Sequence, residues 1–135
     1  MLVYVDGSAL SRYVIDAPES RQWRAWAAVH ESSFVTSPLG FFELRRVADR
    51  LGFAGRARAH AVSERIAEVR FSDQTMKTAV MAWTVLSPFE ALHLGVAASD
   101  PDIGPLATYD LLLARVAAIY GLSVVSPGRP DHWWE

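Results

Sequence analysis

The sequence predicts an α/β protein built on a small parallel β-sheet flanked by helices on both sides. Short apolar segments alternate with longer segments whose apolar residues recur at helical spacing, which is typical of a parallel sheet with crossover helices. The helical segments outnumber the strand segments, so the sheet should be small. The chain has 135 residues, 51% of them hydrophobic, which is enough for one sizeable core. We therefore expect a single domain over residues 1–135.

The first half of the chain contains two predicted strands and four predicted helices. Pro38 suits a first helical turn and Gly52 a helix end. In the helix that follows Gly52, the pattern predicts four inward residues, Ala57, Ala61, Ile66 and Val69. In chain order, the predicted elements are a strand at 2–5, helices at 8–16 and 18–32, a strand at 33–37, and helices at 38–52 and 55–70.

The second half contains two more predicted strands. Residues 71–83 have a mixed pattern that assigns no clear element. Ser87 and Pro88 mark a helix start. The remaining predicted elements are a helix at 88–99, a strand at 104–110, a helix at 111–121 and a strand at 122–128.

The composition excludes several classes of protein. The chain has no cysteine, which excludes disulfide frameworks and thiolate metal sites and fits a reducing compartment. We see no basic leader and no apolar run near the ~20 residues of a membrane span, so we expect a cytoplasmic protein without a membrane segment. The formal net charge is −2, yet eight of the 13 basic residues lie between Arg45 and Lys77. That stripe is either a phosphate-attracting surface or a pair of solvated helices.

Four acidic residues occupy unusual places in this pattern. Asp6 and Asp110 directly follow predicted strands, so in one parallel sheet both lie at the edge where ligands bind. Glu43 and Glu90 fall near helix starts and are flanked by apolar residues. Taken singly, the aspartates could cap the following helices and the glutamates could complement helix dipoles.

Taken together, the four acids suggest a cation site. Clustered carboxylates repel one another, and one must take up a proton unless a cation neutralises the group. An oxygen-rich, cysteine-free donor set selects a hard cation, Mg²⁺ or Mn²⁺. Such an ion is suited to activating water and stabilising a phosphodiester transition state.

Four segments of the sequence resemble PIN-domain ribonucleases, and most closely the VapC-type toxins of bacterial toxin–antitoxin pairs. The resemblance covers nearly the whole chain, and "VDGSAL" and "TYD" are its more specific parts. It implies a PIN-like fold with acids around Mg²⁺ or Mn²⁺. In order, the segments are "LVYVDGSALSRYV", "PLGFFELRRVADRLG", "FEALHLGVAA" and "LATYDLLLARVAAIYGLSVVSPG".

The resemblance assigns roles by position. Asp6, Glu43 and Asp110 match three of the family's metal-binding acids, and they are catalytic residues in this interpretation. Thr108 matches the usual hydroxyl companion of the last acid, and Ser8 the small hydroxyl residue near the first. The implied partners are an RNA substrate, a cognate antitoxin protein and a second copy of the chain in a homodimer. Cleavage is expected to leave a 5′-phosphate and a 3′-hydroxyl.

The third segment departs from the family pattern. It usually reads "D-A-x-H-L-A", and here it reads "EALHLG", so Glu90 replaces an aspartate as the fourth catalytic and metal-binding acid. Asp100 and Asp102 are spare acids that could substitute. An alternative is a catalytically impaired PIN-fold module that binds RNA or an antitoxin without turnover. The one "E-x-x-H" motif cannot build a di-iron bundle, so His93 is interpreted as structural.

Overall fold

The computed structural model describes residues 1–135 and has one five-stranded sheet in which every neighbouring pair is parallel. The spatial order is β3-β2-β1-β4-β5. The predicted α/β class with a small parallel sheet is confirmed. The strands are β1 Leu2–Val5, β2 Phe34–Thr36, β3 Ala67–Glu68, β4 Ile103–Ala107 and β5 Ser123–Val125.

Seven α-helices cover the sheet. Their starts follow local chemistry: the Ser37 side chain caps α3 and Ser87 caps α6, each followed by proline in the first turn. None of the helices has the length and apolar character needed to cross a membrane. The helices are α1 Gly7–Ser11, α2 Ser20–His30, α3 Pro38–Ala48, α4 Gly52–Arg65, α5 Asp73–Met81, α6 Pro88–Ser99 and α7 Leu111–Ile119.

The central strand β1 separates two apolar clusters, because successive side chains of a strand point to opposite faces. Val3 and Val5 belong to the cluster that contains Trp23. Tyr4 belongs to the other, together with Leu94. This alternation puts helices on both faces of the sheet, as the sequence predicts.

The structure corrects several local predictions. The helix after β1 ends at Ser11, and turns continue the chain from there. In α4, the inward residues are Gly55, Ala59 and Val62, whereas Ala57 and Ala61 are exposed. A helix so rich in alanine and arginine has several apolar stripes of similar strength, so periodicity alone did not select the buried one.

Two elements were missing from the prediction. The two-residue strand β3 lies inside the segment predicted as helix, because Val35 and Thr36 of β2 offer it an open edge to pair with. The mixed segment 71–83 contains α5, which begins with a capping box between Ser72 and Thr75.

Candidate active site at the carboxyl edge of the sheet

Asp6 ends the central strand and is buried, with 3% of its surface exposed. Its Oδ1 accepts hydrogen bonds from Ser8 Oγ at 2.7 Å and from the Ala9 backbone N–H at 2.9 Å. Its Oδ2 accepts a hydrogen bond from Thr108 Oγ1 at 2.5 Å. Burial raises the pKa of Asp6, and the nearby His93 and these hydrogen bonds lower it without restoring its ordinary value.

Ser8 and Thr108 join the ends of two neighbouring strands. Ser8 Oγ accepts a hydrogen bond from the Tyr109 backbone N–H at 2.8 Å, while Thr108 Oγ1 accepts one from the Asp110 backbone N–H at 3.0 Å. Both hydroxyls donate to Asp6. The Asp6 carboxylate is therefore locked to the chain segment that carries Asp110, about a hundred residues away in sequence.

Asp110 and Glu90 are neighbouring acids, and the carboxyl group of each affects the pKa of the other. Burial and the Glu90 carboxyl group raise the pKa of Asp110 to about 6. Burial would also raise the pKa of Glu90, but its interactions with Asp110 and Ser87 lower that pKa overall. The pair therefore keeps a proton to a higher pH than a free aspartate does, because two close carboxylates repel each other.

Glu43 lies over the backbone of Gly7, the residue next to Asp6. A Cβ atom on Gly7 would come within 2.5 Å of the Glu43 Cβ, so only glycine leaves room for this side chain. The Glu43 Oε1 atom accepts a short hydrogen bond from the buried ring nitrogen Nε2 of His93. Glu43 is thereby held against the residues that follow β1.

The ordinary explanations also apply to three of the four acids, but not to Glu43, which lies beyond the first turn of α3. Asp6 caps α1, Asp110 caps α7 through the Leu113 backbone N–H, and Glu90 forms a capping box with Ser87. A carboxylate that accepts a backbone N–H on one oxygen still has further lone pairs available. Capping and ligand binding are therefore compatible roles for the same side chain.

The side chains do not form a completed metal centre. No three acidic or histidine side chains surround one point at distances suited to a metal ion. The chemistry of the donor set nevertheless fits a hard cation, because its donor atoms are carboxylate oxygens and the pKa values of both Asp6 and Asp110 are raised, so that added positive charge would be favourable there. A bound cation would offset the negative charge of these carboxylates.

Two residues proposed as spare acids are in the wrong place. Asp100 and Asp102 precede β4, whereas Asp6 and Asp110 follow the carboxyl ends of β1 and β4. Because β1 and β4 are parallel, these spare acids lie at the opposite edge of the sheet. Asp100 Oδ1 accepts a hydrogen bond from the Asp102 backbone N–H there.

Sequence reasoning missed the parts played by Gly7, Tyr4 and His93. The interpretation of His93 as purely structural overlooked its contact with Glu43, 50 residues away in sequence. One signal was available, because His93 lies three residues after Glu90 and thus on the same side of α6.

Comparison with known proteins agrees with this arrangement. The family model described as PIN domain matches residues 3–129. The curated Ribonuclease VapC47 from Mycobacterium tuberculosis (strain CDC 1551 / Oshkosh) is 29% identical over 133 residues, covering 94% of this chain and 98% of that protein. A match over this span, on a parallel sheet with acids at its carboxyl edge, leads to one conclusion: the chain belongs to the PIN-domain family.

Proposed function

We propose that the protein is a metal-dependent endoribonuclease that acts as a VapC-type toxin and is inhibited by a cognate antitoxin. The observation that carries this proposal is the buried Asp6 carboxylate at the end of the central strand, tied through Ser8 and Thr108 to the segment carrying Asp110. Membership of the PIN-domain family and the likeness to a protein named a ribonuclease support it. Cytoplasmic RNA is the proposed substrate.

The four acids have the proposed role of holding Mg²⁺ or Mn²⁺. A bound divalent ion supplies a Lewis acid that lowers the pKa of water and offsets the charge of a phosphodiester. Ser8 and Thr108 orient the Asp6 carboxylate, and Asp110 and Glu90 would hold the ion from the starts of α7 and α6. Glu43 completes the donor set from α3.

Cleavage of a fluorogenic single-stranded RNA tests the proposal. We expect activity with Mg²⁺ or Mn²⁺, none in EDTA, and products with a 5′-phosphate and a 3′-hydroxyl. Asp110→Asn should reduce the rate about 100-fold or more, because it removes one charged group at the reacting centre. Asp100→Asn, the same substitution at the opposite sheet edge, should leave the rate unchanged. Equal cleavage in EDTA would refute the metal mechanism.

The proposed antitoxin site is a cleft of about 160 Å³ between α3 and α4. Its lining includes the apolar residues Phe41 and Leu44, the basic residues Arg45 and Arg56, and one acid, Asp49. Trp23 is fully buried in the core and is not available to a partner. Expression should arrest growth, and the product of the adjacent gene should restore it. Growth arrest without such rescue counts against a toxin–antitoxin pair.

A homodimer is the proposed assembly. Four large apolar residues in and after α5 are exposed, which is more than scattered surface positions explain. Sedimentation of the purified protein should give twice the monomer mass, and Trp83→Glu should give the monomer. These residues are Val80, Met81, Trp83 and Val85, with 57–74% of their surfaces exposed.

One observation favours the second candidate, a module that binds RNA or an antitoxin without turnover. Glu90 Oε1 accepts a hydrogen bond from the Ser87 backbone N–H at 2.9 Å, so part of this longer side chain is engaged with its own helix start. RNA binding without cleavage at any Mn²⁺ concentration would support that candidate.

A further inference from the structure

A buried chain of hydrogen bonds lies directly beneath the acids. It runs from Ser37 through Tyr4 and His93 to Glu43. The Tyr4 hydroxyl is 2.8 Å from Ser37 Oγ and 2.6 Å from His93 Nδ1, and His93 Nε2 contacts Glu43 Oε1. Tyr4 is fully buried and His93 is 2% exposed, so water does not compete for these bonds.

This series of hydrogen bonds connects the three elements that carry or precede Asp6, Glu43 and Glu90. Tyr4 lies two residues before Asp6 on β1, and His93 lies three residues after Glu90 on α6. Ser37 caps α3, the helix that carries Glu43, by accepting a hydrogen bond from the Gly40 backbone N–H. A shift of any one of these elements would break a bond in the chain.

Glu43 needs such restraint because its side chain is 29% exposed and has several rotatable bonds. Its carboxylate can only accept hydrogen bonds when ionised, so His93 must present hydrogen on Nε2. The Tyr4 hydroxyl has one hydrogen and donates it either to Ser37 Oγ or to His93 Nδ1. In both cases His93 keeps its hydrogen on Nε2. Glu43 also lies close against Gly7, where an added Cβ atom would be 2.4 Å from the Glu43 Oε1 atom.

We propose that His93 and Tyr4 are positioning residues that hold the Glu43 carboxylate ready for the cation. This inference rests on the proposed function and extends it. His93 acts on Glu43 directly, and Tyr4 acts through His93. Partners of this kind set the orientation of a metal-binding carboxylate, and their loss typically reduces metal affinity or activity 10- to 100-fold.

A matched pair of substitutions at position 93 separates positioning from packing. His93→Gln can place an amide N–H near the position of Nε2 and keep the bond to Glu43. His93→Asn is shorter and can keep only the bond to Tyr4. We expect Mn²⁺ affinity, measured by isothermal titration calorimetry, to fall about tenfold in His93→Asn and to stay within about threefold of wild type in His93→Gln. Equal affinities in the two variants would overturn the inference.

Tyr4→Phe provides a second test if neither variant at position 93 folds. It should weaken Mn²⁺ binding about threefold to tenfold, because His93 loses its anchor while the ring remains. Tyr13→Phe is the control. It also removes a short phenol hydrogen bond, 2.6 Å to Glu31, which is not one of the four candidate metal-binding acids. Equal Mn²⁺ affinity in Tyr4→Phe and wild type would refute the role of Tyr4.

Crystal structures distinguish this inference from the proposed function. If wild-type protein binds no Mn²⁺, the proposed function fails, and the position of Glu43 then decides the inference. A Glu43 carboxylate on His93 in wild type and turned away in Tyr4→Phe supports it. An unchanged Glu43 in Tyr4→Phe overturns it, whether or not the protein cleaves RNA.

Discussion

Asp6→Asn should abolish metal binding without weakening the metal-free fold. The substitution preserves the shape of the side chain and removes its charge. Asp6 is 3% exposed and accepts three hydrogen bonds, from Ser8, Ala9 and Thr108. Two effects therefore oppose each other. The hydrogen bonds from Ser8 and Ala9 weaken, and the new amide nitrogen, which cannot accept, has to donate to Thr108 Oγ1 instead, while the cost of a buried charge disappears.

The magnitudes favour the second effect. A hydrogen bond to a charged acceptor contributes about 1.5–3 kcal/mol and a neutral one about 0.5–1.5, so the three bonds lose roughly 3 kcal/mol in total. Removing the desolvation penalty of a buried ion recovers several kcal/mol. The pKa of Asp6 is raised by burial despite its hydrogen bonds, so burial outweighs them. We expect the free energy of unfolding of metal-free Asp6→Asn to equal that of wild type or exceed it by up to about 2 kcal/mol at pH 7.

The pH dependence follows from the direction of that pKa shift. An acid whose pKa is higher in the folded state binds its proton more tightly there, so its contribution to stability falls as the pH rises from the unfolded pKa to the folded pKa and is constant above that. The advantage of Asp6→Asn should therefore be absent below the ordinary value of 3.8, grow as the pH rises towards the folded pKa of Asp6, and level off above it.

Thermal unfolding with and without Mn²⁺ measures both effects. At a metal concentration 100 times Kd, binding adds about 2.7 kcal/mol to wild type. For a chain of this length, that raises Tm by about 10 °C. Asp6→Asn should start at the same or a higher Tm in EDTA and show no rise with Mn²⁺. Asp100→Asn is the matched control and should behave as wild type.

Two results would refute this reasoning. A drop in the metal-free Tm of more than about 4 °C would mean that the hydrogen bonds outweigh burial of the charge. An equal rise with Mn²⁺ in Asp6→Asn and wild type would remove Asp6 from the cation site.

Three further predictions concern other parts of the molecule. Glu90→Gln should weaken Mn²⁺ affinity about tenfold by calorimetry, whereas Glu90→Asp should preserve or raise it; identical affinity in wild type and Glu90→Gln removes Glu90 from the site. Glu19→Gln should cost about 3 kcal/mol in urea unfolding, because it leaves two arginines without their buried partner. Burial would raise the pKa of Glu19 but its arginines lower it overall, so this contribution should be full above about pH 4.5 and diminish as the pH falls; a pH-independent difference contradicts it. Gly95→Ala should cost about 2 kcal/mol, because the new Cβ would lie 2.4 Å from the Thr75 backbone oxygen of α5; an unchanged Tm would show that the helices can separate freely.

The sequence by itself determined the class of fold and the places of the acids. The segment before Asp6 forms a strand because its valine, leucine and tyrosine residues suit a strand that is buried on both faces, and the chain beyond it turns into a helix that Asp6 caps. A capping serine followed by proline marks the starts of α3 and α6. Strand ends and helix starts depend on residues that are neighbours in the sequence, so they can be predicted from the sequence alone.

Tertiary structure alone decided how the site is held. The strand β3 exists because β2 presents an open edge, and the inward stripe of α4 was selected by the surface on which it packs. The bond between His93 and Glu43 joins residues 50 positions apart on different helices. No local pattern encodes such a contact, because α3 packs in one apolar cluster and α6 in the other, and only the folded sheet brings Glu43 and His93 together. Asp100 lies at the wrong edge because it precedes β4, which runs parallel to β1, although its sequence position had made it a candidate.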